Sequence, residues 1–350
     1  MQLSEFDISV KTASISFLII IVIWASFSFE ELFTPECEGI GACFDYDRRM
    51  ARLAVWDIQW YSEDARHFVH FFLLKISDLV FGNPKVLPLV SSGFILFLTF
   101  LITTNLTKNR LAGLASSLVL TGSYIFYNYD TSVTYPSFWT AFFLFAVYLS
   151  LGSHPKSSII PFIIAIPAKA VVALYLPALL LFMGLTGLQR KSTILLYCIA
   201  GGVGACALVL SNTIGDGLKG GFLLFDRVDP LAFAVGLWDW TKLFNDDVIT
   251  FYLLIFVIAV LIAIRKKPNA MAVLSMIIGL IMVHPVLLGF TGYDSWDYRF
   301  LPVVCFVSIG FGFFVKYYPE VIEKFKTLGK SAKSSSSYHV DNEQSKANSI

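Results

Sequence analysis

Hydrophobic runs of near membrane-spanning length recur along the chain, at about 13–30, 88–105, 110–128, 136–152, 170–187, 193–211, 249–265, 270–290 and 299–316. A transmembrane helix needs roughly 20 mostly apolar residues, so each run reads as a crossing. Two further segments break the rhythm. Residues 66–81 carry Arg66, His67, His70, Lys75 and Asp78 among apolar positions, and 157–167 is too short for a straight span. The first run, Ser14 to Phe29, is long for the apolar part of a signal peptide, and no small-residue cleavage site follows it. It reads as an uncleaved first helix.

Basic residues arbitrate between the topologies, because Lys and Arg concentrate in cytoplasmic loops. The clusters are Lys108/Arg110, Lys156, Arg190/Lys191, Arg265/Lys266/Lys267 and the tail from Lys316. If 66–81 lies in the interface and 157–167 is a short crossing, every cluster falls on one side. If 66–81 spans and 157–187 is one long helix, Lys108/Arg110 and Lys156 change sides. The first arrangement predicts an all-α polytopic membrane protein with about ten transmembrane helices and both termini cytoplasmic. Residues 1–316 form the membrane domain, and the Lys- and Ser-rich tail, 317–350, reads as largely disordered. External loops fall at 31–87, 212–248 and 291–299, the first holding interfacial amphipathic helices. The membrane is the cell membrane, or the endoplasmic reticulum in a eukaryote.

Composition agrees with a lipid environment. The chain is 56% hydrophobic and 15% charged, with a mean hydropathy of +0.70, whereas soluble domains are about 25% charged. Its 33 Phe and 15 Tyr suit lipid-facing helices and interfacial belts. No basic face exists outside the short cytoplasmic loops, so nucleic acid is not an expected partner. No internal repeat of the kind found in many transporters is visible. Cys37 and Cys43 bracket a polar loop without His, which argues against zinc. A small disulfide-closed loop fits if that side is oxidising. Cys198, Cys206 and Cys305 lie in apolar runs and read as small core residues.

Ionisable residues at helix ends in a membrane protein are the natural candidates for chemistry. Lys169 lies between two apolar runs on the external side. It reads either as a snorkelling lysine or as the partner of a local anion. Arg299 opens the last helix in Tyr298-Arg299-Phe300-Leu301-Pro302, where a cation opposes the helix dipole. Pairing with Asp294 or Asp297 is one explanation. The other is an anionic ligand such as phosphate, which arginine grips with two parallel donors. Asp45 and Asp47 flank Tyr46 after the first helix. They read as a solvated acidic loop or as a general base at an interfacial site. His67 and His70, three residues apart, fit an interfacial helix face better than a metal pair, and His284 reads as a packed core histidine.

The order of these features resembles the glycosyltransferase C superfamily, in particular the branch of protein O-mannosyltransferases and aminoarabinose transferases. The likeness covers roughly 10–316. It is carried by the acidic pair after the first helix, the surface segment ending Leu79-Val80-Phe81-Gly82, and Asn109-Arg110-Leu111-Ala112-Gly113-Leu114. The aromatic turn from Tyr124 to Tyr135, the short helix ending at Lys169, and the Tyr-Arg-Phe-Leu-Pro opening of the last helix complete it. The resemblance implies a membrane glycosyltransferase that moves a sugar from a polyprenyl- or dolichyl-phosphate donor to a hydroxyl of a protein, lipid or glycan acceptor. It implies Asp47, or Asp45, as catalytic base. It also implies that Lys169, Arg299, Asp130, Tyr298 and His67 bind substrate. No cofactor is obligatory, although a divalent cation is compatible with the chemistry. The sequence departs from the family in having Asp45-Tyr46-Asp47-Arg48 where an Asp-Glu pair is usual, and in lacking the His-Pro-Pro segment. A non-catalytic subunit of the same fold and a small-solute transporter are the alternatives. The transporter calls for charges midway along helices; the helices here are nearly free of them, and the charges gather on one face.

Overall fold

The computed structural model describes residues 7–36, 46–47, 49–51, 53–54, 68–152, 155–187, 193–202, 229–291 and 297–347. Among these there is no strand, and the chain folds as a helical bundle. Its principal helices are α1 (Val10–Ser28), α2 (Phe68–Phe81), α3 (Val86–Thr107), α4 (Arg110–Thr121), α5 (Phe138–Ser150), α6 (Ile159–Ala168), α7 (Leu176–Leu185), α8 (Val248–Ala263), α9 (Ala270–Thr291) and α10 (Leu301–Ala347). Four stretches are long and apolar enough to cross a membrane: Val10–Phe33, Val86–Thr107, Ala270–Gly289 and Asp297–Thr327. The protein therefore has the build of a multi-pass membrane protein. Shorter apolar helices include Arg110–Thr121, Phe138–Ser150, Thr193–Gly202 and Val248–Ala263.

α10 is the central post, packed by α3, α4, α8 and α9. Inside the protein, 72% of its apolar window is buried, against 17% for the peripheral α1. Small residues allow the closest approaches, as expected where apolar burial alone does not drive helices together. A Cβ on Gly312 of α10 would lie 2.9 Å from the Ala112 carbonyl of α4 and would also strike Thr103 of α3. A Cβ on Gly113 would lie 2.8 Å from the Phe100 carbonyl of α3. α3 and α4 meet at a tight corner. Lys108 takes a left-handed conformation (φ 54°), and the Asn109 side chain caps α4 by accepting from Ala112 N at 2.8 Å.

The ends of the bundle differ in chemistry. At one end Arg110 bonds Asp7 at 2.7 Å, Lys267 bonds Glu320 at 2.7 Å, and Asn269 donates to the Leu106 carbonyl. The basic clusters around 108–110 and 265–267 thus share that end, as the charge sorting predicts. The opposite end gathers Lys85, Asp130, Lys169, Asp247 and Arg299. α2 buries His70, Phe71, Leu74 and Ser77 along one stripe and exposes Phe72, Leu79, Val80 and Phe81. This one-sided helix packs on α3 and α6. Cys305 is buried, whereas Cys198 faces outward rather than into the core. Cys37, Cys43 and Cys206 lie outside the described residues.

Candidate functional site

Helix α6 is ten residues long, about 15 Å at 1.5 Å per residue. Such a helix falls short of a full crossing. Pro167 sits in the last turn, and Lys169 follows in extended conformation (φ −156°, ψ 116°) before the 3-10 turn Ala170–Tyr175. The break turns the Lys169 side chain into the protein, where it is 9% exposed. A second 3-10 turn, Asp297–Phe300, precedes α10 and buries Tyr298, Arg299 and Phe300.

These two breaks meet. Lys169 Nζ lies 4.7 Å from the centroid of the Tyr298 ring. Arg299 Nε donates to the Tyr298 hydroxyl at 3.4 Å, and Arg299 is 5% exposed. The Tyr298 ring stacks on Tyr135, with centroids 4.4 Å apart and planes at 11°, and Tyr129 meets it edge-on at 5.9 Å. Burial lowers the Lys169 pKa below the usual lysine value, Tyr298 opposes that shift, and the charges of Arg299 and Arg49 reinforce it. Two cations beside a buried lysine make the spot electropositive. Behind Arg299, His284 is buried and stacks on Phe300 at 4.2 Å.

The loop carrying the two tyrosines is pinned from three directions. Asp130 is fully buried, and its Oδ2 accepts from Trp24 Nε1 at 2.8 Å and Ser28 Oγ at 2.5 Å. Its backbone carbonyl accepts from Ser92 Oγ of α3. Burial, with help from Glu31, raises the Asp130 pKa to about 7, against the pull of the Ser28, Trp24 and Thr131 donors. Glu36 accepts from the backbone N–H groups of Val133 and Thr134 and from Ser132 Oγ. Glu31 accepts from Thr131 Oγ1 at 3.1 Å. Lys85, also buried, donates to the carbonyls of Glu31 and Thr34 at 2.8 and 2.6 Å. Asp247 is equally buried but structural. It caps α8 through Thr250 N and bonds Ser123 Oγ at 2.6 Å.

Of the residues picked from sequence, Lys169, Tyr298 and Arg299 come together, and Asp130 adjoins them through Tyr129. The Asp130 carboxyl turns toward α1. Asp47 sits in a short helical stretch, described at 46–47, 49–51 and 53–54, that packs on α2. Tyr46, Met50 and Leu53 of that stretch turn inward, and Asp47 is exposed. Asp45 and His67 lie outside the described residues.

Comparison with protein-family models, with curated proteins and with solved structures finds no match. The reading of the site therefore rests on its own geometry.

Sequence reasoning missed Arg49, Tyr129 and Tyr135. Arg49 was detectable, because it falls with Tyr46, Met50 and Leu53 on the i, i+3, i+4, i+7 face of a helix. Its guanidinium lies 5.3 Å over the Phe71 ring of α2. Among the described residues no group of three or more His, Cys, Asp or Glu converges as metal ligands would.

Proposed function

We propose that the protein is a membrane glycosyltransferase that uses a polyprenyl- or dolichyl-phosphate sugar. One observation carries the reading: two buried cations, Lys169 and Arg299, converge on one point at the end of the bundle opposite the basic clusters. A phosphate placed between them draws on both charges, and Arg offers it a two-pronged donor. The four long and six shorter apolar helices then make ten crossings, with both termini cytoplasmic and the site external. The lipid tail of the donor stays in the bilayer while its phosphate reaches the buried cations.

In this reaction the Asp47 carboxylate takes the proton of the acceptor hydroxyl. The acceptor oxygen bonds to the anomeric carbon as the bond from that carbon to the phosphate oxygen breaks. The electron pair leaves with the lipid phosphate, whose charge Lys169 and Arg299 hold, and the configuration inverts. No metal is needed for a leaving group that is already a stabilised anion, and a divalent cation would assist in the same sense.

The exposure of Asp47 favours a second reading, a non-catalytic subunit that binds the lipid phosphate. The purified protein separates the two when incubated with candidate lipid-phosphate sugars and acceptors. Consumption of donor supports the transferase. Phosphate-dependent lipid binding without consumption supports the subunit, and absence of both sinks the phosphate site.

A further inference from the structure

α1 and α4 are joined near their first turns by the bond between Asp7 and Arg110. Between their other ends lies a cleft of about 260 Å³, walled by Ile23, Trp24 and Phe27 of α1 and Leu118 of α4. Ile23, Phe27 and Leu118 are 54%, 67% and 61% exposed and Trp24 only 5%. The cleft therefore opens outward, and Trp24 backs it. Trp24 is fixed from behind. Its indole N–H is spent on Asp130, its ring lies 6.0 Å from that of Phe126, and a Cβ on Gly93 of α3 would come within 3.3 Å of it. The cleft is thus preformed, with an apolar back. Thr121 and Tyr127 complete it at the end that leads into the Asp130 turn. Both hydroxyls give their hydrogen to the backbone, Thr121 to the Leu118 carbonyl at 2.8 Å and Tyr127 to the Phe27 carbonyl at 3.4 Å. A hydroxyl has one hydrogen to give, so this rim presents lone pairs. Burial, then Glu31, Asp130 and Glu30, push the Tyr127 pKa up to about 12, the mark of negative surroundings.

We propose that this cleft holds one hydrocarbon chain of a membrane lipid whose polar end is a hydroxyl, donated to the Tyr127 oxygen at the rim. The opening selects the chain. Ile23 and Phe27 belong to a stretch with the length and hydropathy of a membrane span, so what reaches the cleft is bilayer hydrocarbon. The volume falls just under the roughly 300–1,000 Å³ of ordinary small-molecule sites and suits a length of one chain. The rim selects the head. A chain that leaves the bilayer for the cleft gains no hydrophobic free energy, because lipid tails are as apolar as the side chains. Selection falls to polar contact. A phosphate would meet acceptors and carboxylates there, whereas a hydroxyl brings the donor that the rim lacks. The cleft does not involve Lys169 or Arg299, so it stands or falls independently of the phosphate reading.

Trp24 reports occupancy, because bromine quenches indole fluorescence on contact. The full-length protein in phosphatidylcholine nanodiscs is titrated with dodecanol brominated at mid-chain, and with the matching bromododecane, bromododecyl phosphate and bromododecylamine. The emission lost in Trp24→Phe gives the Trp24 share. The alcohol is expected to quench that share half-maximally at about fivefold lower membrane fraction than the other three, the scale of one neutral hydrogen bond. Tyr127→Phe keeps the ring and is expected to abolish the preference. Quenching by any of the other three that equals or exceeds that by the alcohol overturns the assignment, and so does no quenching of Trp24 at all. If W24F does not fold, the total emission of the wild type and Y127F decides. An alcohol preference present in the wild type and gone in Y127F supports the site, and one that is absent from the wild type or survives in Y127F overturns it.

Discussion

Trp24 of the first helix donates its indole N–H to Asp130, 106 residues further along the chain, at 2.8 Å. The bond ties the least buried of the four long apolar stretches to the loop that bears Tyr129 and Tyr135. A carboxyl with its pKa raised to about 7 holds more protons folded than unfolded. It therefore contributes stability that is fully present below the unfolded value, 3.8, and is lost as pH rises through about 7. The wild-type melting temperature should fall between pH 5 and 8 by more than that of Asp130→Asn. Trp24→Phe removes a donor to the charged form and should move the midpoint upward. Identical pH profiles for the wild type and D130N would show that Asp130 does not titrate in this range.

Arg299→Ala should weaken binding of a lipid phosphate by about 1.5–3 kcal/mol, the range for hydrogen bonds to charged groups. Arg299→Lys should restore only part, since a point charge cannot reproduce the planar fork. Full affinity in R299A would reduce the arginine to a structural partner of its neighbours.

Asp47→Asn keeps the size and polarity of the side chain but cannot take a proton. Turnover should drop by about 100-fold or more with donor affinity kept, the scale of general-base catalysis. A dead Asp45→Asn beside an active D47N would move the base by two residues. Normal turnover in both would end the base mechanism.

Gly312→Leu should destabilise the protein by about 1–3 kcal/mol or more, since the new side chain must displace the backbone of α4. Thermal unfolding in detergent measures it. A melting temperature unchanged from wild type would mean that α10 and α4 can separate without cost.

Sidedness is open to direct labelling in a background cleared of native cysteines. Asn245 and Lys266 are both exposed, at opposite ends of the bundle. A cysteine at Asn245 should react with an impermeant maleimide from outside intact cells, and one at Lys266 only after permeabilisation. The reverse pattern would place the Lys169 site inside.

The sequence showed the helices and the two cations, because each leaves a local mark. Apolar runs mark the spans. The polar residues among 68–81 mark a one-sided helix, and Lys169 and Arg299 stand out because they interrupt apolar runs. The partners of those marks were hidden, because they arise from contacts about a hundred residues apart. Asp130 looked like a substrate ligand in an acidic turn, and nothing local says that Trp24 and Ser28 take it. Tyr135 was one aromatic among many until the fold set it against Tyr298. Glu36 reads as one more loop acid, although it gathers three donors of 132–134.

The grip of Glu36 has a mechanical consequence. The chain that leaves the first helix is fastened to the loop whose far side presses on Tyr298, and Lys85 fastens it again at Glu31 and Thr34. A pull on the long loop beyond Glu36 is therefore geared through Tyr135 to the spacing of Lys169 and Arg299. Whatever displaces Glu36 would change the spacing of the two buried cations without touching either of them.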